Sequence, residues 1–234
     1  MMPQKILSRV KEVVNHGERV YSIFLIPVSP IPRFLPGQFL HLALDPYIPG
    51  DFWPESRVFS IASAPSERHL LRLTYAVKGQ FTSRMEAELC PGHEVWLKLP
   101  YGEFTIDTSS DACLLAGGTG ITAFTAFLAG LPADYPHHVH LFYGARRPEL
   151  LIYRSLAESA AERCPNLRNV FLAEQASIDC QPGRIDPDIV WKNLPNPLVY
   201  IYYLAGPPEM LRVLTHELHE HGVAANHLVT DAWE

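Results

Sequence analysis

The first hundred residues alternate apolar and polar positions in short runs, at 4–14, 20–27, 39–44, 70–76 and 95–99, with proline and glycine between them. Alternation of this kind predicts half-buried strands. Pro27, Pro30, Pro32, Pro36, Pro46, Pro49 and Pro54 suit connections and edges, because proline has no N–H to give a ladder. Strands punctuated so regularly predict a small closed antiparallel barrel, interrupted by one helical stretch at 81–89. After the polar DTSSD at 107–111 the pattern changes. Apolar strands at 112–116, 139–143, 170–174, 198–204 and 227–230 now alternate with helical segments at 121–131, 149–163 and 208–221. That order predicts a parallel sheet covered by helices. The expected fold class is an N-terminal antiparallel β-barrel domain, 1–107, followed by a C-terminal α/β domain with a parallel sheet, 108–234.

Composition changes this picture little. The 234 residues are 47% hydrophobic and 19% charged, as in an ordinary globular protein. A net charge of -6 supplies no basic field for nucleic acid or an anionic membrane surface, so neither is expected as a partner. The 19 residues from Cys113 to Leu131 carry no charge, yet four glycines and three threonines argue against a membrane span. The N-terminus lacks the apolar core and cleavage site of a signal peptide, which predicts a cytoplasmic protein. Cys90, Cys113, Cys164 and Cys180 are scattered without a C-x-x-C pair, and no metal site is expected. The histidines at 137, 138 and 140, and at 216, 219 and 221, lack companions at ligand spacing and are expected to be solvated.

Candidate chemistry begins at the first parallel strand, where LLAGGTGITAF joins an apolar run to a helix through Gly117, Gly118 and Gly120. Gly118, Gly120 and Ala123 fit G-x-G-x-x-A, a spacing that lets backbone turn tightly and aim free N–H groups at a pyrophosphate. Taken alone, the loop is equally a glycine turn that binds nothing. A dinucleotide fold selecting NAD wants an acid about 20 residues on. Arg146 and Arg147 stand there instead, either to receive a ribose or 2′-phosphate or as an exposed basic loop.

Four motifs then follow in a recognisable order: Arg57-Val58-Phe59-Ser60 (R-x-[YF]-S), KGQFTSRM at 78–85, LAGGTGIT at 115–122 and AGPPEM at 205–210. FLPGQFL at 34–40, LPYGEF at 99–104 and the ending Asp231-Ala232-Trp233 fill the gaps. The set resembles the ferredoxin–NADP reductase family over nearly the whole chain, closest to stand-alone NAD(P)H flavin reductases and oxygenase reductase components. The resemblance implies FAD, with FMN as an alternative, on the barrel and NADH or NADPH on the α/β domain. Its flavin-holding residues would be Arg57, Val58, Phe59, Ser60 and Tyr75, with Lys78, Gly79, Gln80, Phe81 and Thr82 around the phosphate. Ser60 would take the catalytic position, hydrogen-bonding near flavin N5, while the other reading of Arg57 is a surface ion pair with Glu55 or Asp51. On the nucleotide side it implies Gly117, Gly118, Thr119, Gly120, Ile121 and Thr122 at the pyrophosphate, with Arg146 at the ribose. Gly206, Pro207, Pro208, Glu209 and Met210 would border the nicotinamide. Trp233 would either cover the flavin ring or pack in the core.

The implied activity is hydride transfer from NAD(P)H to flavin, with electrons passed to free flavin, an oxygenase component, a ferredoxin or another redox protein. Ala205 departs from the family pattern, which has cysteine there. That departure keeps open a flavin-carrying relay or regulatory subunit with little nucleotide oxidation of its own.

Overall fold

The computed structural model describes residues 2–175 and 177–231. The chain divides into two units, Met1–Thr105 and Ile106–Glu234.

The first unit holds strands β1 (Gln4–Asn15), β2 (Val20–Pro27), β3 (Phe39–Ala43), β4 (Ser56–Ser60), β5 (Leu71–Ala76) and β6 (Glu94–Tyr101), with helix α1 (Gln80–Glu88) before β6. They form one antiparallel sheet in the order β4-β3-β6-β1-β2-β5. Alternation does what the sequence expects: Ile6 and Val10, Leu71, Leu73 and Tyr75, and Val95, Leu97 and Leu99 all turn inward. Phe81 and Met85, one helical turn apart on α1, join the same core. The sheet curls into a near-barrel, and the segment leaving β4 is tied to β5, the other end of the order. There the Ala62 N–H donates to the Arg72 carbonyl at 2.9 Å, and the Arg72 guanidinium donates back to the Ala62 carbonyl at 3.2 Å.

The second unit contains β7 (Ala112–Gly117), α2 (Thr122–Gly130), β8 (Val139–Ala145), α3 (Arg154–Arg163) and β9 (Leu167–Ala173). The two-residue β10 (Gln181–Pro182), α4 (Pro187–Asn193), β11 (Ile201–Ala205), α5 (Pro208–Glu220) and β12 (Leu228–Asp231) follow. All six strands are parallel, in the order β10-β9-β8-β7-β11-β12. Every residue of β7 is buried, as its central place requires. On one face Cys113, Leu115, Phe142, Tyr202 and Leu204 pack with Val190 of α4 and Leu211, Leu214 and Leu218 of α5. From the other face Asn169 Nδ2 donates to the Ala157 carbonyl of α3 at 2.6 Å, and α3 packs with α2.

Several boundaries differ from the pattern-based reading. The expected helix at 149–163 begins only at Arg154, after a short 3-10 turn at Pro148–Leu150, and the strand expected at 198–204 begins at Ile201. Helix α4 was absent from that reading, although Asp186 caps it, accepting from the Ile189 N–H at 3.0 Å, and Pro187 takes the first turn. The uncharged run at 113–131 is a strand and a short helix, and among the described residues no helix is long and apolar enough to cross a membrane.

One histidine is also corrected. His140 is not solvated; it lies 4% exposed within β8. Burial, then the positive charge of Arg168 and His138, push its pKa from 6.5 to about 4. Between those values the unfolded chain binds a proton that the folded chain refuses, so stability falls as pH drops through this window. The loss should reach at most about 3 kcal/mol. Urea denaturation from pH 7 to pH 4 should show this acid limb, and His140→Phe should flatten it; an identical limb in the variant would assign it to other groups.

Candidate functional site

On the first unit the expected flavin residues gather around β4, the end of β5 and the start of α1. Thr82 Oγ1 accepts from the N–H groups of Lys78 and Gly79, at 2.9 and 3.1 Å, and donates to the Gly79 carbonyl at 3.1 Å. The hydroxyl thereby folds the turn that aims the first N–H groups of α1 outward. No acidic side chain occupies that first turn, which leaves it suited to an anion. Arg57 comes to the same place: its guanidinium lies 5.2 Å from the centre of the Phe81 ring. It also pairs with Glu55 at 3.0 Å, the partner that the alternative reading names, and is half exposed.

Deeper in, Phe59 meets Tyr75 edge-on with centroids 6.0 Å apart, and Tyr21 stacks on Tyr75 from the directly opposed position on β2. Tyr75 is 3% exposed, and its Oη is buried without a hydrogen-bond partner among the described residues. Burial pushes this phenol up, so it stays protonated and able to donate. An orphaned buried hydroxyl beside two aromatic rings fits a flat heteroaromatic ligand. Val58 and Ser60 lie partly exposed on β4. The sequence did not single out Tyr21, whose hydroxyl donates to Glu86 of α1 at 2.9 Å; its place opposite Tyr75 was the available signal.

Gln38 links three of the quoted segments. Its side chain accepts from the Leu35 N–H at 2.9 Å and donates to the Gly102 carbonyl at 3.0 Å, while its own carbonyl accepts from the Ile61 N–H at 3.0 Å.

On the second unit two loops meet at the carboxyl ends of β7 and β11, where the chain's strand order reverses direction. The loop after β7 is a 3-10 turn, Gly118–Ile121, before α2 begins. Neither the turn nor the helix has a side-chain cap, and the Thr122 N–H that opens α2 is given to the Thr119 and Gly120 carbonyls, so any free N–H groups belong to the start of the turn. A Cβ on Gly120 would collide with the Ala205 carbonyl and stand 2.6 Å from the Gly206 nitrogen. One on Gly117 would run into the Met210 thioether, 3.0 Å from Pro207 Cδ. Gly118 is the contrary case: its φ of +54° needs glycine, but the space beside it is open. Two glycines therefore let the loops interlock and the third turns the backbone past open space.

The other expected contributors are placed unevenly. Ile121 is fully buried and Thr122 nearly so, with its hydroxyl donating to the Thr119 carbonyl at 2.8 Å, so neither offers a side chain. Arg146 is exposed just beyond β8, whereas Arg147 pairs with Glu149 at 3.3 Å. Glu209, in the first turn of α5, is held by Arg212 at 2.7 Å, which lowers its pKa. Trp233 lies outside the described residues.

Residues 114–216 match the family model for an oxidoreductase NAD-binding domain. The reductase component of propane 2-monooxygenase from Rhodococcus jostii is 28% identical over 97% of this chain and 63% of its own length. The electron transfer component of toluate 1,2-dioxygenase from Pseudomonas putida is 30% identical over 81% of this chain and 56% of its own. The chain thus spans about three fifths of the length of these curated relatives. The FAD/NAD-binding domain of a nitric oxide dioxygenase from Vibrio cholerae shares the fold with a TM-score of 0.83, at 18% identity and 97% coverage of both chains. The chain belongs to the ferredoxin–NADP reductase superfamily.

As a superfamily member it keeps the ordered motifs but has Ala205, 1% exposed at the end of β11, where the family pattern has cysteine. In this ferredoxin–NADP reductase relative the Ala205 carbonyl, rather than its side chain, is what Gly120 packs against.

The glycines separate by stability. Gly118→Ala should cost about 1–2 kcal/mol for its left-handed backbone, and Gly120→Ala about 3 kcal/mol or more, because the colliding atoms are backbone. Urea denaturation measures both, and equal losses would contradict the interlocked loops.

Proposed function

We propose that this chain is an NAD(P)H-dependent flavin oxidoreductase that passes electrons onward to a free flavin or to a separate redox protein, such as an oxygenase component or a ferredoxin. One observation carries the reading: in each unit a glycine leads into a helical turn that has no acidic residue in its first turn and no side chain on the leading residue to fill it, which suits an anion. A dinucleotide and a flavin are two phosphate-bearing ligands, and one turn would serve each.

The flavin phosphate would meet Arg57 and the N–H groups of Gln80, Phe81 and Thr82, with Lys78 and Gly79 shaping the turn. Phe59 and Tyr75 would flank the ring, Val58 would support it, and Ser60 would hydrogen-bond at its reacting edge. Gly117 to Thr122 would hold the nucleotide pyrophosphate, Arg146 the ribose or a 2′-phosphate, and Gly206 to Met210 would border the nicotinamide. Bound nicotinamide supplies the hydride and bound flavin accepts it. The protein's part is to hold the reacting atoms within about 3–3.5 Å and keep water out. FAD is favoured over FMN by the resemblance, and the boundary near residue 107 separates the two binding domains. A second reading, a relay or regulatory subunit with slow nucleotide oxidation, draws on Ala205.

The purified chain mixed with FAD or FMN and with NADH or NADPH should consume the reduced nucleotide, followed at its absorbance band. Failure of all four pairings would remove the enzyme and leave the relay. Faster turnover with NADPH would assign Arg146 to a 2′-phosphate. Arg57→Ala should weaken flavin binding by about 1.5–3 kcal/mol, the value of one charge-assisted contact; an unchanged dissociation constant in the folded variant would confine Arg57 to its pair with Glu55.

A further inference from the structure

At the amino ends of the parallel strands, away from the glycine loops, a second cluster takes no part in holding either cofactor. Cys113 of β7, His140 of β8 and Arg168 of β9 share one register row. His140 and Arg168 line a cleft of about 270 Å³ with His138, Lys192, Asn193 and Leu194. His140 alternates onto the same face as Phe142, which packs in the apolar core with residues of α4 and α5. An aliphatic side chain would satisfy that position. A histidine leaves its Nδ1 buried without a hydrogen-bond partner among the described residues. Tyr200, 1% exposed, meets the imidazole edge-on with centroids 5.5 Å apart, and its Oη is likewise buried and unpartnered. Each such group is costly to bury unless something completes it.

Charge at this end favours an anion. Arg168 and Lys192 are exposed at the cleft, and Arg168 and His138 both oppose protonation of His140. The acid facing them is Asp111, already engaged: its Oδ1 accepts from the His138 N–H at 2.8 Å and lies 3.8 Å from His137 Nδ1. Two cations and one buried histidine around one cleft make a set suited to an oxyanion.

We propose that this cleft binds a small molecule carrying an oxyanion, with Arg168 and Lys192 meeting its charge, His140 donating a hydrogen bond to its oxygens and Tyr200 bracing the imidazole from behind. The volume admits more than a bare ion, so the ligand is a phosphorylated or carboxylated small molecule. Its site is separate from the residues assigned to flavin and nucleotide and does not depend on that assignment.

The test titrates the full chain with inorganic phosphate and, separately, with malonate, through the millimolar range at constant ionic strength. The ring resonances of His140 and Tyr200 are followed by NMR. At least one anion should shift both rings saturably, and the double variant Arg168→Gln/Lys192→Gln should weaken that binding about 10-fold or more. Both replaced side chains are exposed, so the fold is kept. A response to phosphate alone identifies a phosphorylated ligand, and one to malonate alone a carboxylated ligand. No saturable shift with either anion overturns the proposal. So does an affinity unchanged in the double variant.

Discussion

The α/β unit depends on one close approach, the backbone of Gly120 against the backbone of Ala205 and Gly206. Parallel strands end in loops that would otherwise splay apart, and only residues without a Cβ let main chain meet main chain there. Because β7 and β11 are neighbours in register from Ile201 and Ala112 to Ala205 and Ala116, the loops leave the sheet at the same level. The Met210 thioether beside Gly117 then closes the contact from the first turn of α5. The two loops are thereby held backbone to backbone at the switch in strand order.

The barrel unit is arranged differently. Its candidate site is held by side chains: Thr82 shapes the start of α1, Arg57 reaches Phe81, and Tyr21 braces Tyr75 across the β2–β5 ladder. The buried Tyr75 hydroxyl is the polar atom left over. Such a group is tolerated where a ligand completes it, which joins the tyrosine to the flavin reading by chemistry as well as by resemblance.

Much of this was legible in the sequence. Continuous apolar runs bounded by glycine marked β7 and α2, and alternation marked β1, β2, β3, β5 and β6 to within a few residues. The five residues of β4 were not read as an element because none is fully buried, so no face announced itself. Helix α4 has only seven residues, too few for a 3.6-residue period to stand out. His140 was misread because polarity alone cannot distinguish a solvated histidine from one held within a sheet. The interlocking of Gly117 and Gly120 with the AGPPEM segment was beyond the one-dimensional pattern, since the two lie some 85 residues apart and meet only through strand order.

Gln38 joins segments that are far apart along the chain, residues 34–40, 57–63 and 99–104, through one side chain and one carbonyl. Gly37 adds to the junction, since a Cβ there would strike the Phe104 carbonyl. These three stretches are therefore heritable as a block: a chimera that imports one of them from a relative inherits a mismatched joint, whereas one that imports all three carries its own. Epistasis among them is the evolutionary expression of a single amide.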